Sequence, residues 1–259
     1  MSTISSLGEF GLIRHLTEGI KPTQPSTLQG VGDDCAIIGA TEGEQTLVTT
    51  DMLMEGIHFD LVYTPLRHLG YKAAMVNLSD IYAMNGTPRQ LLVSLAVSNR
   101  FQVEDLDEFY AGLRLACERH GVDLVGGDIS ITAIGTAAPS DIVKRSGAKP
   151  TDLVCVSGNF GAAYMGLQLM EREKAIYLSQ VKAAKSQEAR DALNFQPDFS
   201  GQEYLLERLL KPEARRDVVE NLRQAGIHPT AMIDVSDGIS SELLHICHES
   251  QVGCRIFEE

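Results

Sequence analysis

The stretch "YKAAMVNLSDIYAMNGTPRQLLVSLAVS", Tyr71–Ser98, decides the fold class. Its first half has apolar residues at helical spacing and reads as the end of a helix running from about Leu66 to Met84. Asn85-Gly86 followed by Pro88 is a stop signal, because Asn-Gly favours a turn and proline cannot continue a helix. Gln90–Ser98 then reads as a buried strand. One residue breaks the pattern. Asp80 is a carboxylate on an otherwise nearly apolar helix, on the same face as Asn77 three residues earlier, and a buried carboxylate needs a partner.

Outward from this stretch the same alternation continues. Glu9–Gly19 reads as a short helix. "CAIIG" (35–39) and "TLVTTDML" (46–53) read as strands on either side of a turn. "VEDLDEFYAGLRLACERHG" (103–121) is a long amphipathic helix ended by Gly121, and "VDLVGGD" and "SITAIGTAA" are strands. After "RSGAKPTD" (145–152) the pattern restarts. "LVCVSG" (153–158) reads as a strand and "GAAYMGLQLMERE" (161–173) as a helix. Residues 182–202 are charged and partly helical. A helix is expected over 212–224, with Pro212 in its first turn. "AMIDVSDGISSELLHICHES" (231–250) is strand, turn and helix, and "VGCRIFEE" begins another strand. The expectation is a two-domain α+β protein, residues 1–148 and 149–259.

Bulk composition narrows the function. The 259 residues carry a formal net charge of −13, which argues against generic nucleic-acid binding, since that needs a basic face. No apolar run is long enough for a membrane span, and no basic-then-apolar leader opens the chain. Five scattered cysteines form no disulfide framework, which favours a reducing, cytoplasmic setting. An acidic protein handling an anionic substrate needs cations or helix N-termini to offset repulsion.

Acidic residues recur at strand ends beside glycine or small polar residues: Asp33 and Asp34, Asp51, Asp80, Asp128, and Asp234 with Asp237 around Ser236. Each Gly-Asp or Ser-Asp-Gly taken alone is an ordinary turn or helix cap. Taken together, carboxylates from several strands suit magnesium, which prefers oxygen ligands and shares its shell with phosphates. Walker-type, protein-kinase and dinucleotide-binding signatures are all missing. His245 and His248 in "HICHES" read as a helix face rather than a soft-metal site.

In order, "GEFGLI", "GVGDDCAII", "TTDMLMEGIHF", "YKAAMVNLSDIYAMNGTP", "LVGGD", "RSGAKPTD" and "IDVSDGISSEL" resemble the thiamine-monophosphate kinase family, within the aminoimidazole ribonucleotide synthetase-like superfamily. The resemblance implies transfer of a phosphoryl group from ATP to thiamine monophosphate. It also implies two α/β domains, dimerisation through the N-terminal sheet, and ATP held without a P-loop. It implies several Mg²⁺ ions on Asp34, Thr49, Thr50, Asp51, Asp80, Asp128, Asp234 and Asp237. Tyr110, Gly127, Asp128, Arg145 and Ser236 would serve ATP, His58 would meet the thiamine phosphate, and Asp33 would support Asp34. No covalent nucleophile is implied. Family members continue past "CRIFEE" with a segment that helps form the thiamine pocket, so the C-terminal domain reads as truncated. The rivals are another ATP-dependent enzyme of the superfamily, or a non-catalytic nucleotide-binding or dimerisation module. Selenophosphate synthetase is disfavoured because the first cysteine, Cys35, lies inside the aspartate motif.

Overall fold

The structure, a computed structural model, describes residues 15–29, 37–39, 42–95, 100–127, 131–184, 186 and 195–257. Its centre is a mixed four-stranded sheet in the order β3-β6-β4-β5, built from β3 (Gln45–Asp51), β4 (Thr87–Val93), β5 (Asp123–Gly127) and β6 (Ile131–Ala137). The β4–β5 pair is parallel, and β6 runs antiparallel to both β3 and β4. A small antiparallel pair, β1 (Thr27–Gln29) with β2 (Ile37–Ile38), stands beside it.

Two 18-residue helices, α1 (Leu66–Ala83) and α2 (Val103–His120), cover one face of the sheet. Helix α2 begins in a capping box, with the Gln102 N–H donating to the Asp105 carboxylate at 2.8 Å, and ends on Gly121 at φ 64°. The two helices cross where Gly70 meets Gly112. A Cβ on Gly70 would lie 1.9 Å from the Phe109 carbonyl oxygen, and one on Gly112 would lie 1.9 Å from that of Arg67. Glycine is what lets the backbones approach so closely. Beneath the crossing, Met75, Leu78, Ile81, Leu91, Leu113 and Ala133 are all but completely buried.

The period of two in β3 positions the site. Leu47 enters the core under α1 and the Thr49 hydroxyl meets Asp80, while Val48 and Thr50 lie on the opposite face. Val48 is 65% exposed there.

After β6, a 3-10 turn (Arg145–Gly147) leads to α3 (Ala162–Ala183), α4 (Glu203–Leu210), α5 (Arg216–Gln224) and α6 (Ile239–Ser250). Several contacts tie these helices to the sheet half. Tyr71 donates to both oxygens of Glu213 at 2.7 Å, and Lys174 pairs with Asp60 at 2.5 Å. Ser250 Oγ donates to the Arg145 carbonyl at 2.7 Å.

Four expectations need correction. The segments 153–158, 231–235 and 252–257 are not strands. Each has strand-like side chains, but among the described residues none forms a ladder, the bond from the Met232 N–H to the Lys144 carbonyl at 3.3 Å standing alone, and a strand exists only where its N–H and C=O groups find a ladder partner. Leu153 (88% exposed), Ile256 (73%) and Phe257 (83%) therefore face solvent. The fourth is the helix at 212–224: it begins at Arg216, leaving Pro212 in the connection from α4. Helix α3 runs ten residues beyond its expected end. Residues 9–14 and 35–36, the leading parts of two expected elements, lie outside the described residues.

Candidate active site

Three elements bring carboxylates together. Asp51 ends β3, Asp80 lies in the last turn of α1, and Asp234 precedes the turn into α6. Thr49 Oγ1 donates to Asp80 Oδ2 at 2.5 Å. Asn77, 1% exposed, accepts from the Asp51 N–H at 3.1 Å and donates to the Ala73 carbonyl, which fixes the end of β3 against the helix. Ser79 Oγ donates to Asp234 Oδ2 at 2.9 Å and brings the second half of the chain to the same place.

The electrostatics are those of crowded, partly buried anions. Burial raises the Asp51 carboxyl above the usual carboxylate range and Asp234 raises it further, while His58 and a hydrogen bond with Asp80 oppose this. Burial likewise raises Asp80, the Thr49 hydroxyl pulls it back, Asp234 and Asp51 push it up, and Arg145 lowers it slightly. Like charges in reach of one another disfavour ionisation.

The other expected residues divide. His58 is exposed, its Nδ1 accepts from the Met54 N–H at 3.0 Å, and its carbonyl accepts from Lys72 Nζ at 2.9 Å. Arg145 is exposed on the 3-10 turn, near enough to act on Asp80. Ser236 and Asp237 are exposed before α6, with the Asp237 N–H reaching Glu242 at 3.3 Å. Thr50 points to the other face, where its hydroxyl donates to the Ile131 carbonyl at 3.0 Å. Tyr110 is 5% exposed and packs edge-on against Phe109, so the structure puts it in the core. Gly127 ends β5 opposite Val93. Asp33, Asp34 and Asp128 lie outside the described residues. Among the described residues, no three His, Cys, Asp or Glu side chains are close enough to hold a metal ion by themselves.

Sequence reasoning passed over Ser79 and Lys72. Ser79 could have been found beside Asp80 in "NLSD". Lys72 gives no local sign, because its partner is a backbone carbonyl fourteen residues away.

Residues 32–144 match the model of the AIR synthase related protein, N-terminal domain. The thiamine-monophosphate kinase of Bacillus subtilis (strain 168) is 34% identical over 263 residues, covering 97% of this chain and 74% of that protein. The chain belongs to the thiamine-monophosphate kinase family. Two solved structures of thiamine-monophosphate kinases agree in fold. That from Stenotrophomonas maltophilia K279a has a TM-score of 0.71 at 30% identity, over 92% of this chain and 70% of its own. AaThiL complexed with AMPPCP and TMP has a TM-score of 0.67 at 30% identity, over 97% and 73%. This chain thus spans about three-quarters of the length of its thiamine-monophosphate kinase relatives. Among its described residues no helix is long and apolar enough to cross a membrane.

Proposed function

We propose that this chain carries out the reaction of its family by direct in-line transfer of the γ-phosphoryl group of ATP to the phosphate of thiamine monophosphate, giving thiamine diphosphate and ADP. The observation that carries the mechanism is the convergence of Asp51, Asp80 and Asp234 from three elements, with raised carboxyls at Asp51 and Asp80. An all-oxygen donor set suits Mg²⁺. Asp51, Asp80, Asp234 and the Thr49 hydroxyl would hold it, joined by Asp34, Asp128 and Asp237, whereas the Thr50 hydroxyl is turned to the opposite sheet face. When bound, Mg²⁺ supplies the positive charge that offsets phosphate against carboxylate.

The remaining work is positional. Arg145 and Ser236 contact the ATP phosphates, Arg145 by a charge-assisted bond. Gly127, which has no side chain, allows the nucleotide close to the backbone. His58 meets the phosphate of thiamine monophosphate from a loop braced by Lys72. That acceptor is already an anionic oxygen, so no strong general base is needed, and catalysis rests on alignment and charge neutralisation. Residues 1–148 serve as the ATP, metal and dimerisation unit and 149–259 as the C-terminal unit. The dimer forms through the sheet face opposite α1 and α2, a reading supported by the exposed Val48 on that face.

The test is to give the purified chain ATP, Mg²⁺ and thiamine monophosphate and to measure thiamine diphosphate. Asp51→Asn should abolish product. Undiminished product in that variant overturns the metal assignment, and a phosphorylated protein intermediate overturns direct transfer. Mg·ATP binding with no product favours the non-catalytic module.

A further inference from the structure

A cleft of about 240 Å³ lies between the C-terminal ends of α1 and α2, the start of β4, and α5. None of its lining residues belongs to the site above. Tyr82, His120, Arg89, Arg216, Glu220 and Arg223 give it its chemistry.

Charge accounting marks it out. Arg119, Arg215 and Arg216 each have a carboxylate partner, at 3.2, 2.8 and 2.7 Å. Among the described residues Arg89 and Arg223 have none, although acidic residues outnumber basic ones by 35 to 22. Arg223 is held by neutral acceptors: its Nε donates to Asn85 Oδ1 and its Nη1 to Thr87 Oγ1, both at 3.2 Å, and its Nη2 to the Asn85 carbonyl. Arg89 is held loosely, Nη1 to Gln24 Oε1 at 3.2 Å and Nε to Thr136 Oγ1 at 3.4 Å. Among the described residues Glu220 is the one carboxylate lining the cleft, and it is already bound to Arg216. Three guanidinium charges therefore face one carboxylate, and each guanidinium has five N–H donors to satisfy.

Two further features fit an anion. Tyr82 Oη lies 3.0 Å from His120 Nδ1. With Nδ1 accepting that hydroxyl proton, the imidazole keeps its own proton on Nε2 as a further donor. Burial holds His120 below its ordinary value, in line with a neutral ring. The volume falls short of the roughly 300–1,000 Å³ of pockets for larger organic ligands, which favours a small guest.

We propose that this cleft is a second anion site, taking a small phosphate oxyanion (free phosphate or the phosphate end of a monoester) between Arg89, Arg216 and Arg223. Guanidinium forks match tetrahedral oxyanions in geometry as well as charge.

Phosphate binding is measured by calorimetry on the full chain in EDTA, at constant ionic strength, with chloride as control. Without divalent metal the acidic site repels phosphate, so the cleft is what is read. Saturable binding is expected. Arg89→Met should weaken it about tenfold, the size of one lost charge-assisted hydrogen bond. Glu220→Gln, a change on the surface of α5, should tighten it, and it serves as the second reporter if Arg89→Met fails to fold. Glycerol 3-phosphate binding more tightly than inorganic phosphate identifies a monoester as the guest; equal binding identifies free phosphate. The proposal is overturned if phosphate does not bind saturably in EDTA, or if both variants bind it as the unaltered chain does.

Discussion

Replacing Asp80 by asparagine should make the metal-free protein more stable and the metal-loaded protein less so. Asn keeps the shape and can still accept from Thr49 Oγ1, but removes the charge that Asp51 and Asp234 oppose. In a half-solvated cleft, each like-charged neighbour contributes on the order of 1 kcal/mol of repulsion after solvent screening. Relieving two such terms gains about 2 kcal/mol, and the weaker bond from Thr49 gives back about 1. The net gain of about 1 kcal/mol should raise the unfolding midpoint in EDTA by roughly 2–4 °C in a chain of this size. Saturating Mg²⁺ should reverse the order. At a hundredfold excess over its dissociation constant, a bound ligand adds about 2.7 kcal/mol to the native state. The unaltered chain should gain that stability and Asp80→Asn should lose most of it. Thermal unfolding of both proteins, in EDTA and in Mg²⁺, reads the crossing directly. If Asp80→Asn melts below the unaltered chain in EDTA, Asp80 is chiefly the structural acceptor of Thr49, and the reasoning from charge is wrong.

Lys72→Met removes the 2.9 Å bond to the His58 carbonyl and should raise KM for thiamine monophosphate about five- to tenfold with little change in kcat; steady-state kinetics that show the reverse would separate Lys72 from the acceptor loop. Asp123 is 3% exposed and accepts from the Thr23 N–H at 2.6 Å, Thr23 Oγ1 at 2.7 Å and the Gln24 N–H at 2.8 Å, so Asp123→Ala should cost about 3 kcal/mol in denaturant unfolding. Burial alone would raise the Asp123 carboxyl, yet these donors hold it below the usual range. Its stabilisation is therefore present above the unfolded carboxylate value of about 3.9 and is lost as pH falls through the lower folded value, an acid loss that Asp123→Asn should lack. Gly112→Ala drives a Cβ to within 1.9 Å of the Arg67 carbonyl oxygen and should destabilise by about 3 kcal/mol or more; a midpoint unchanged in urea would mean the helices slide apart freely.

What could be read from the sequence depended on how local its cause was. Helices α1 and α2 carry their own period and stop signals, and α2 its caps as well, so they were legible to within a few residues. The three expected strands after residue 152 had equally suitable side chains, but a strand is a relation between two segments, and sequence pattern shows only one of them. The site follows the same rule. Asp80 stood out because a carboxylate in an apolar helix violates local logic, whereas nothing in the local pattern ties Ser79, its neighbour, to Asp234 155 positions away. Tyr110, to which the resemblance alone gives a nucleotide role, is 5% exposed in α2.

As scaffold alone the Asp51, Asp80 and Asp234 cluster is costly, and that cost supports the proposed metal site. Asp80 sits in the last turn of α1, where the helix dipole disfavours negative charge, and no basic residue in that turn offsets it. It is partly buried and shares its surroundings with two more carboxylates. Each circumstance is unfavourable, and the Thr49 hydroxyl offsets only part of the total. A fold selected for stability alone would place Asn or Ser there, as it places Asn77 one turn earlier. Local rules broken together at one place, by residues from three separate elements, indicate a cost that a bound cation would relieve.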